Sequence, residues 1–388
     1  MDQWTRLIHP EIDNNDPHHA NSLPIYQTAT FAQDDAEHPR NNYDYSRSGN
    51  PTRAYVEAYI AKLENAQYGL AFSSGMAAIS CVLQLLNAGD HIIIGTDIYG
   101  GTHRIIHKVL TRFNIQCSQV DFNDAQALKQ ALTANAKLVL LETPTNPLQQ
   151  ITDINALRSK LAQDIILVVD NTLLSPWLQK PLELGADIVI HSATKHLAGH
   201  GDVSAGVVVT NHEHLAQELK FLQNANGNAL DPMQAWLLLR GVKTLGLRIE
   251  RQQQSALKIA QFLESHPKVT KVYYAGLPTH PNYNIMQAQT SGAGSVLSFT
   301  TESFALSKHI VNQTQLFTIS VSFGSLMSLI SLPCQMSHAA IDSNKRNIPE
   351  SLIRLSIGIE DPDDLIADLE KVLNHEITTS LTSEHHAK

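Results

Sequence analysis

The sequence predicts an α/β protein: a mostly parallel sheet covered by helices on both faces, followed by a smaller α+β unit. Two observations carry the prediction. Short runs of Ile, Val and Leu alternate with amphipathic stretches between about residues 50 and 245, the pattern of strands buried on both faces. After a long helical stretch the alternation resumes, which places a second unit there. The length of 388 residues agrees, since roughly 100–200 residues make one domain.

Taken in order, the first fifty residues are polar, rich in Asn, Asp, His and Pro, and without a lasting period. They read as an extended arm. Pro51 suits the first turn of a helix, and TRAYVEAYIAKLENA then repeats apolar residues at helical spacing. Strands are expected at HIIIG (91–95), KLVLLE (137–142), DIILVVD (164–170), ADIVIHS (186–192) and SAGVVVT (204–210). The segment PMQAWLLLRGVKTLGLRIERQQQSALKIAQFLES, after Asp231, reads as one long helical pattern leading away from this body. KVTKVYYAG, GSVLSFT and LIRLSIG supply strands of the second unit. The expected organisation is an arm over 1–50, an α/β domain over 51–245, a C-terminal α+β domain over 246–376 and a tail over 377–388.

Composition narrows the function classes. With 43% hydrophobic and 17% charged residues the chain is ordinary for a globular protein, which excludes global disorder. Lys and Arg number 28 against 37 Asp and Glu, so 28 − 37 = −9, and no basic surface for nucleic acid is implied. No apolar run reaches the roughly 18–20 residues of a membrane helix. The start, MDQWTRLIHPEIDNND, lacks the apolar core of a secretory leader. Cys81, Cys117 and Cys334 are odd in number, widely spaced and free of any CxxC, so they read as reduced thiols of a cytoplasmic protein.

In an open α/β sheet, ligands bind beyond the carboxyl ends of the strands. Tyr99 follows the first of the runs above and Asn146 the second. Asp170 ends the third, with Asn171 and Thr172 after it. Ser192 ends the fourth, and Thr194 and Lys195 follow it. An amine one βα unit after a carboxylate suits a Schiff-base cofactor. Pyridoxal phosphate needs a lysine for its aldehyde and an acid to keep its ring nitrogen protonated. The hydroxyls of Ser192 and Thr194, with the N–H groups of the Gly-containing turn SSGMAA (73–78), suit its phosphate, and Tyr99 could stack on its ring. The bland alternative is a helix-capping Asp170 and a solvated Lys195. Ser192 to Lys195 also matches the S-x-x-K of serine acyl-enzymes, but the S-D-N and K-T-G elements are missing. His191, His196 and His200 lie close in sequence without carboxylate spacing or an H-E-x-x-H, so no metal is expected. Neither a dinucleotide-binding G-x-G-x-x-G nor a P-loop is present.

The motifs YSRSGNPTR (45–53), SSGMAA (73–78), ETPTNP (142–147), VVDNT (168–172), HSATKHLAGHGDV (191–203) and IRLSIGIED (353–361) occur in series. With them the chain resembles, over nearly its whole length, the pyridoxal-phosphate enzymes of cysteine and methionine metabolism. That family includes cystathionine β-lyases, γ-lyases and γ-synthases and methionine γ-lyases. The resemblance implies an aspartate-aminotransferase-like fold (fold type I) with a seven-stranded, mostly parallel sheet. It implies that Lys195 holds the cofactor and shuttles protons, that Asp170 pairs with the ring nitrogen, and that Tyr99 stacks on the ring and takes part in deprotonation. Ser192, Thr194, Gly75 and Met76 would hold the phosphate, Arg354 the substrate carboxylate, and Ser322 and Asn146 would support it. It further implies a homotetramer of tight dimers, in which Tyr45 and Arg47 reach the partner's phosphate.

The loop SFGSLMSL (322–329) departs from the family pattern. Met327 and Ser331 stand where relatives carry Glu, and Val321 where γ-acting members commonly do. Phe323 places an aromatic beside Ser322, as in some β-lyases. Gly101 stands where methionine γ-lyases carry Cys. The expected activity is therefore β-elimination of cystathionine to homocysteine, pyruvate and ammonia, in trans-sulfuration toward methionine. γ-Elimination, or γ-replacement on an activated homoserine, is the alternative.

Overall fold

The computed structural model describes residues 1–12, 16–37, 43–336 and 348–374; the expected tail over 377–388 lies outside the described residues. Seven strands form the larger sheet: β1 (Tyr68–Phe72), β2 (His91–Gly95), β3 (Gln116–Val120), β4 (Ala136–Glu142), β5 (Ile166–Asp170), β6 (Ile188–His191) and β7 (Gly206–Thr210). Their order is β1-β7-β6-β5-β4-β2-β3. β7 runs antiparallel to both neighbours, and every other pairing is parallel. This is the mostly parallel, seven-stranded sheet the sequence and its resemblance lead one to expect.

Each inner strand is apolar on both faces because both faces are covered. Ile92, Ile94, Leu138, Leu140, Val168 and Ile190 pack into one core. Ile93, Val139, Leu141, Val169 and Val189 pack into the other. The edge strands β1 and β3 were not foreseen from periodicity. β3 reads QCSQV and is largely open to solvent, so its apolar signal is weak.

Two further differences have local causes. The arm opens with a helix, Gln3–Ile8, because Asp2 accepts the Trp4 N–H and Leu7 is buried. The long helical pattern after Asp231 divides into Pro232–Val242 and Leu245–Ser265. At the break Gly241 lies against the Ala198 carbonyl, where any side chain would collide.

Five strands form the second sheet: β8 (Val269–Tyr273), β9 (Val296–Thr301), β10 (Thr318–Ile319), β11 (Leu329–Ser331) and β12 (Leu352–Ser356), in the order β10-β11-β12-β9-β8. Helix Leu245–Ser265 lies in the chain between the two sheets. Central β12 holds Arg354 between Ser298 of β9 and Ser331 of β11. The segment between β10 and β11 carries Ser322 back toward the larger sheet. No helix among the described residues is long and apolar enough to cross a membrane.

Candidate active site

The carboxyl ends of β4, β5 and β6 converge with the helix Gly75–Leu83 and with the second sheet. Asp170 is the last residue of β5. Its Oδ1 accepts the Thr172 N–H at 3.0 Å and also the Thr172 hydroxyl, while its other oxygen has no partner among the described residues. Burial raises the Asp170 carboxyl above its usual range, opposed by the Thr172 bonds and the charge of His191. The Thr172 hydroxyl also accepts the Ser192 N–H at 2.8 Å, which ties the end of β5 to the start of the lysine loop. Thr172 is a site residue that sequence reasoning passed over; its signal was a hydroxyl two residues beyond a strand-ending acid.

Ser192 lies under the first turn of helix Gly75–Leu83. A Cβ at Gly75 would stand 2.7 Å from the Ser192 Cβ, so only glycine lets the helix come down on it. Ser74 caps the helix by accepting the Ala77 N–H, leaving the N–H groups of Gly75 and Met76 without an acceptor among the described residues. Thr194 faces the Ala205 backbone, accepting its N–H at 3.0 Å. Two free N–H groups, a nearby serine hydroxyl and a helix N-terminus make a phosphate cradle. With a buried acid and an amine beside it, the residues present fit pyridoxal phosphate.

Lys195 donates from Nζ to Ser322 Oγ at 2.5 Å and lies 5.2 Å from the centre of the Phe323 ring. Burial, then the charge of Arg354, push its amine down to about 8. A free amine is thus available near neutral pH, which condensation with an aldehyde requires. Arg354 is buried. It donates from Nη1 to Asn146 Oδ1 at 3.3 Å and from Nη2 to the Ser322 carbonyl at 2.7 Å. Its Nε is buried without a partner. Ser322 holds φ +85°, a left-handed conformation that is strained for a non-glycine residue. It is kept there by its neighbours: Gly324 N–H donates to Ser356 Oγ at 3.0 Å, and Gln252 Nε2 donates to the Ser325 carbonyl at 2.7 Å.

Tyr99 is 43% exposed at the start of helix Gly100–Lys108, so its ring is open to a ligand on one side. Tyr45 and Arg47 sit apart from this cluster. Both are exposed, with the Arg47 guanidinium 5.1 Å from the Tyr45 ring and its Nε donating to Asn224 Oδ1 at 3.1 Å. Neither is hydrogen-bonded to Lys195, Asp170 or Ser192 within the chain.

Among the described residues no group of three or more His, Cys, Asp or Glu could hold a metal ion. His191 bonds Glu64 at 2.6 Å, and His200 contacts the Ala198 carbonyl at 2.7 Å. The Lys195 amine points to Ser322 rather than serving Ser192, which removes the support an S-x-x-K nucleophile needs.

His196 is buried beside Lys195 with both ring nitrogens unpartnered. Burial, then Arg248 and Lys195, push it from 6.5 down to about 3. The unfolded chain therefore binds a proton that the folded chain refuses. Stability linked to His196 is complete above pH 6.5 and drains as pH falls toward 3. His196→Phe is expected to remove up to a few kcal/mol of this acid sensitivity. Thermal melts of both proteins between pH 7 and 4 test it, and parallel Tm curves would refute it.

The profile of the family described as Cys/Met metabolism PLP-dependent enzyme matches residues 4–374. The chain is 52% identical over 364 residues to chloroplastic cystathionine beta-lyase of Arabidopsis thaliana, covering 92% of this chain and 78% of that one. It is 45% identical over 380 residues to cystathionine gamma-lyase of Bacillus subtilis, covering 97% of this chain and all of that one. Among solved structures it is similar to a cystathionine gamma synthase of Xanthomonas oryzae pv. oryzae in complex with aminoacrylate and cysteine. That match has a TM-score of 0.93 and 38% identity, and covers 96% and 98% of the two chains.

Proposed function

The chain belongs to the Cys/Met metabolism PLP-dependent enzymes, and from that premise we propose that it is a carbon–sulfur lyase cleaving cystathionine by β-elimination. When bound, pyridoxal phosphate supplies the electron sink that makes the substrate α-proton acidic. The residues here supply the rest. The Lys195 amine takes the proton from the substrate Cα and returns one to the departing sulfur, so that the bond from Cβ to sulfur breaks with its electrons on the thiol. Homocysteine leaves, and the three-carbon remainder adds water to give pyruvate and ammonia. Asp170 holds the proton at the ring nitrogen. Gly75, Met76, Ser192 and Thr194 would bind the cofactor's phosphate, and Tyr99 would stack on its ring. Arg354 orients the substrate carboxylate with two parallel hydrogen bonds, backed by Asn146 and Ser322.

The observation that supports β- over γ-chemistry is the segment 321–331. Val321, Met327 and Ser331 place no carboxylate at those positions of the segment, which sets the Phe323 ring 5.2 Å from Lys195 Nζ and 5.9 Å from the Arg354 guanidinium. Identity to the Arabidopsis beta-lyase also exceeds that to the Bacillus gamma-lyase. γ-Elimination or γ-replacement is the second reading, supported by the close match to a cystathionine gamma synthase structure. We further propose a cytosolic homotetramer in which exposed Tyr45 and Arg47 reach a partner's phosphate. Cys81, Cys117 and Cys334 are joined in no disulfide, which suits a reducing compartment.

The test is to supply L-cystathionine to the cofactor-loaded protein and identify products by mass spectrometry. Homocysteine with pyruvate is expected. Cysteine with 2-oxobutyrate would overturn the β-assignment and leave the family role intact.

A further inference from the structure

Between the ring-stacking tyrosine and the carboxylate-binding arginine stands Glu142, an acid to which no role has so far been given. It ends β4, and its carboxyl group reaches two separate loops. Oε2 accepts the Tyr99 N–H at 3.2 Å, and Oε1 accepts the Asn146 N–H at 3.1 Å. From Asn146 the chain of contacts continues to Arg354 Nη1, from Arg354 Nη2 to the Ser322 carbonyl, and from Ser322 Oγ to the Lys195 amine. In the ladder of β4 with β5, Glu142 pairs with Asp170. Paired residues of adjacent strands share one face, so the two carboxyl groups are neighbours.

We propose that Glu142 is a positioning residue for both halves of the site. One carboxyl group sets the spacing between the Tyr99 loop, which presents the ring to the cofactor, and the Asn146 loop, which turns Arg354 toward the substrate carboxylate. This rests on the roles of Tyr99, Asn146 and Arg354 proposed above.

The geometry explains why an acid is used in so unfavourable a place. A strand-ending apolar residue would suit the burial, and burial, Asp170 and Asp97 all push the Glu142 carboxyl well above its usual range, against the two N–H bonds. What no apolar side chain supplies is two acceptor atoms on one planar group, aimed at two backbones from different loops. Asn146, which is buried, would otherwise keep an unsatisfied N–H, and the more exposed Tyr99 N–H would lose the contact that ties its loop to β4. Coupling follows from the shared group: a shift of the Tyr99 backbone is felt at Asn146, and through it at Arg354.

Glutamine separates this role from simple space-filling. Its amide matches the shape of the carboxyl group, but its nitrogen accepts no hydrogen bond, so only one of the two N–H groups can be satisfied. In the holoenzyme, Glu142→Gln is expected to keep a near-native Tm. It is expected either to raise KM for cystathionine about 10-fold, if the Asn146 bond is lost, or to cut the visible circular dichroism of the bound cofactor, if the Tyr99 bond is lost. Wild-type KM together with wild-type dichroism would overturn the proposal, and so would a lowered Tm with both preserved. Should the variant not fold, amide exchange of the wild-type holoenzyme decides. Slow exchange at Tyr99 and Asn146, both in loops, supports the clamp, and fast exchange at either refutes it. A wild-type protein with no visible cofactor band would sink the proposed function itself, which keeps the two failures distinct.

Discussion

Lys195→Ala is expected to abolish the proposed cystathionine cleavage, lowering kcat by about 10,000-fold or more, the scale of loss when the central group of a concerted catalytic unit is removed. The same variant is expected to lose the covalent attachment of the cofactor. Borohydride treatment of the wild-type holoenzyme fixes the cofactor's mass onto the peptide containing Lys195, and no such adduct forms in the variant. Retention of a tenth of the activity, or an adduct at another lysine, would show that a different amine does this work. The position of the amine makes a second result accessible. An ordinary lysine titrates near 10.5, whereas burial and Arg354 bring Lys195 to about 8. Because the unprotonated amine is the reactive form, the rate at which apoenzyme takes up cofactor should rise with pH through a midpoint near 8 and level off above it. A midpoint near the ordinary 10.5 would mean that the amine is solvated and not held beside Arg354 in solution.

The parts of the fold that sequence reasoning reached are those where burial on both faces leaves a plain signal. β2, β4, β5, β6 and β7 are continuous apolar runs because each is covered by helices on both sides. β3 was missed because an edge strand needs only one packed side, and its Gln116 and Gln119 are exposed. The same logic divides the site. As candidates, Tyr99, Asp170, Ser192 and Lys195 follow from position alone, since each ends or follows a predicted strand where α/β sheets bind ligands. Arg354 could not. It lies in the middle of LIRLS, an ordinary strand by pattern, and only the family resemblance singled it out. Ser322 depends on a left-handed backbone conformation that its own sequence does not announce, since the φ of +85° is imposed by contacts to Ser356 and Gln252 from other elements. Glu142 stood inside a quoted motif and still went unread. A polar residue ending a strand has many uses, and its partners lie on two loops that only the fold brings together.

Arg354→Ala should lower kcat/KM for cystathionine by roughly 100- to 1,000-fold, mainly through KM, because truncating one partner of a buried charged pair costs about 2–5 kcal/mol. The reasoning starts from burial. The guanidinium is almost wholly enclosed, which alone lowers its pKa to about 10, and its Nε has no partner among the described residues. A cation carried into such a place without a carboxylate of its own is costly, unless the missing anion arrives with the substrate. The two terminal nitrogens are already aimed by Asn146 and the Ser322 carbonyl. The group is therefore held in register for a planar carboxylate before substrate binds, and little ordering cost remains to be met. Arg354→Lys should rescue only a small part of the loss, since a point charge keeps the attraction but not the two-pronged geometry. A distinct signature follows from the contact chain. Arg354 helps depress the Lys195 amine, so removing its charge should move the midpoint of cofactor uptake upward from about 8 while the bound cofactor's visible band remains. If KM stays within about threefold of wild type and the uptake midpoint does not move, the substrate carboxylate is held elsewhere, and the buried guanidinium serves only to join the second sheet to the Asn146 loop.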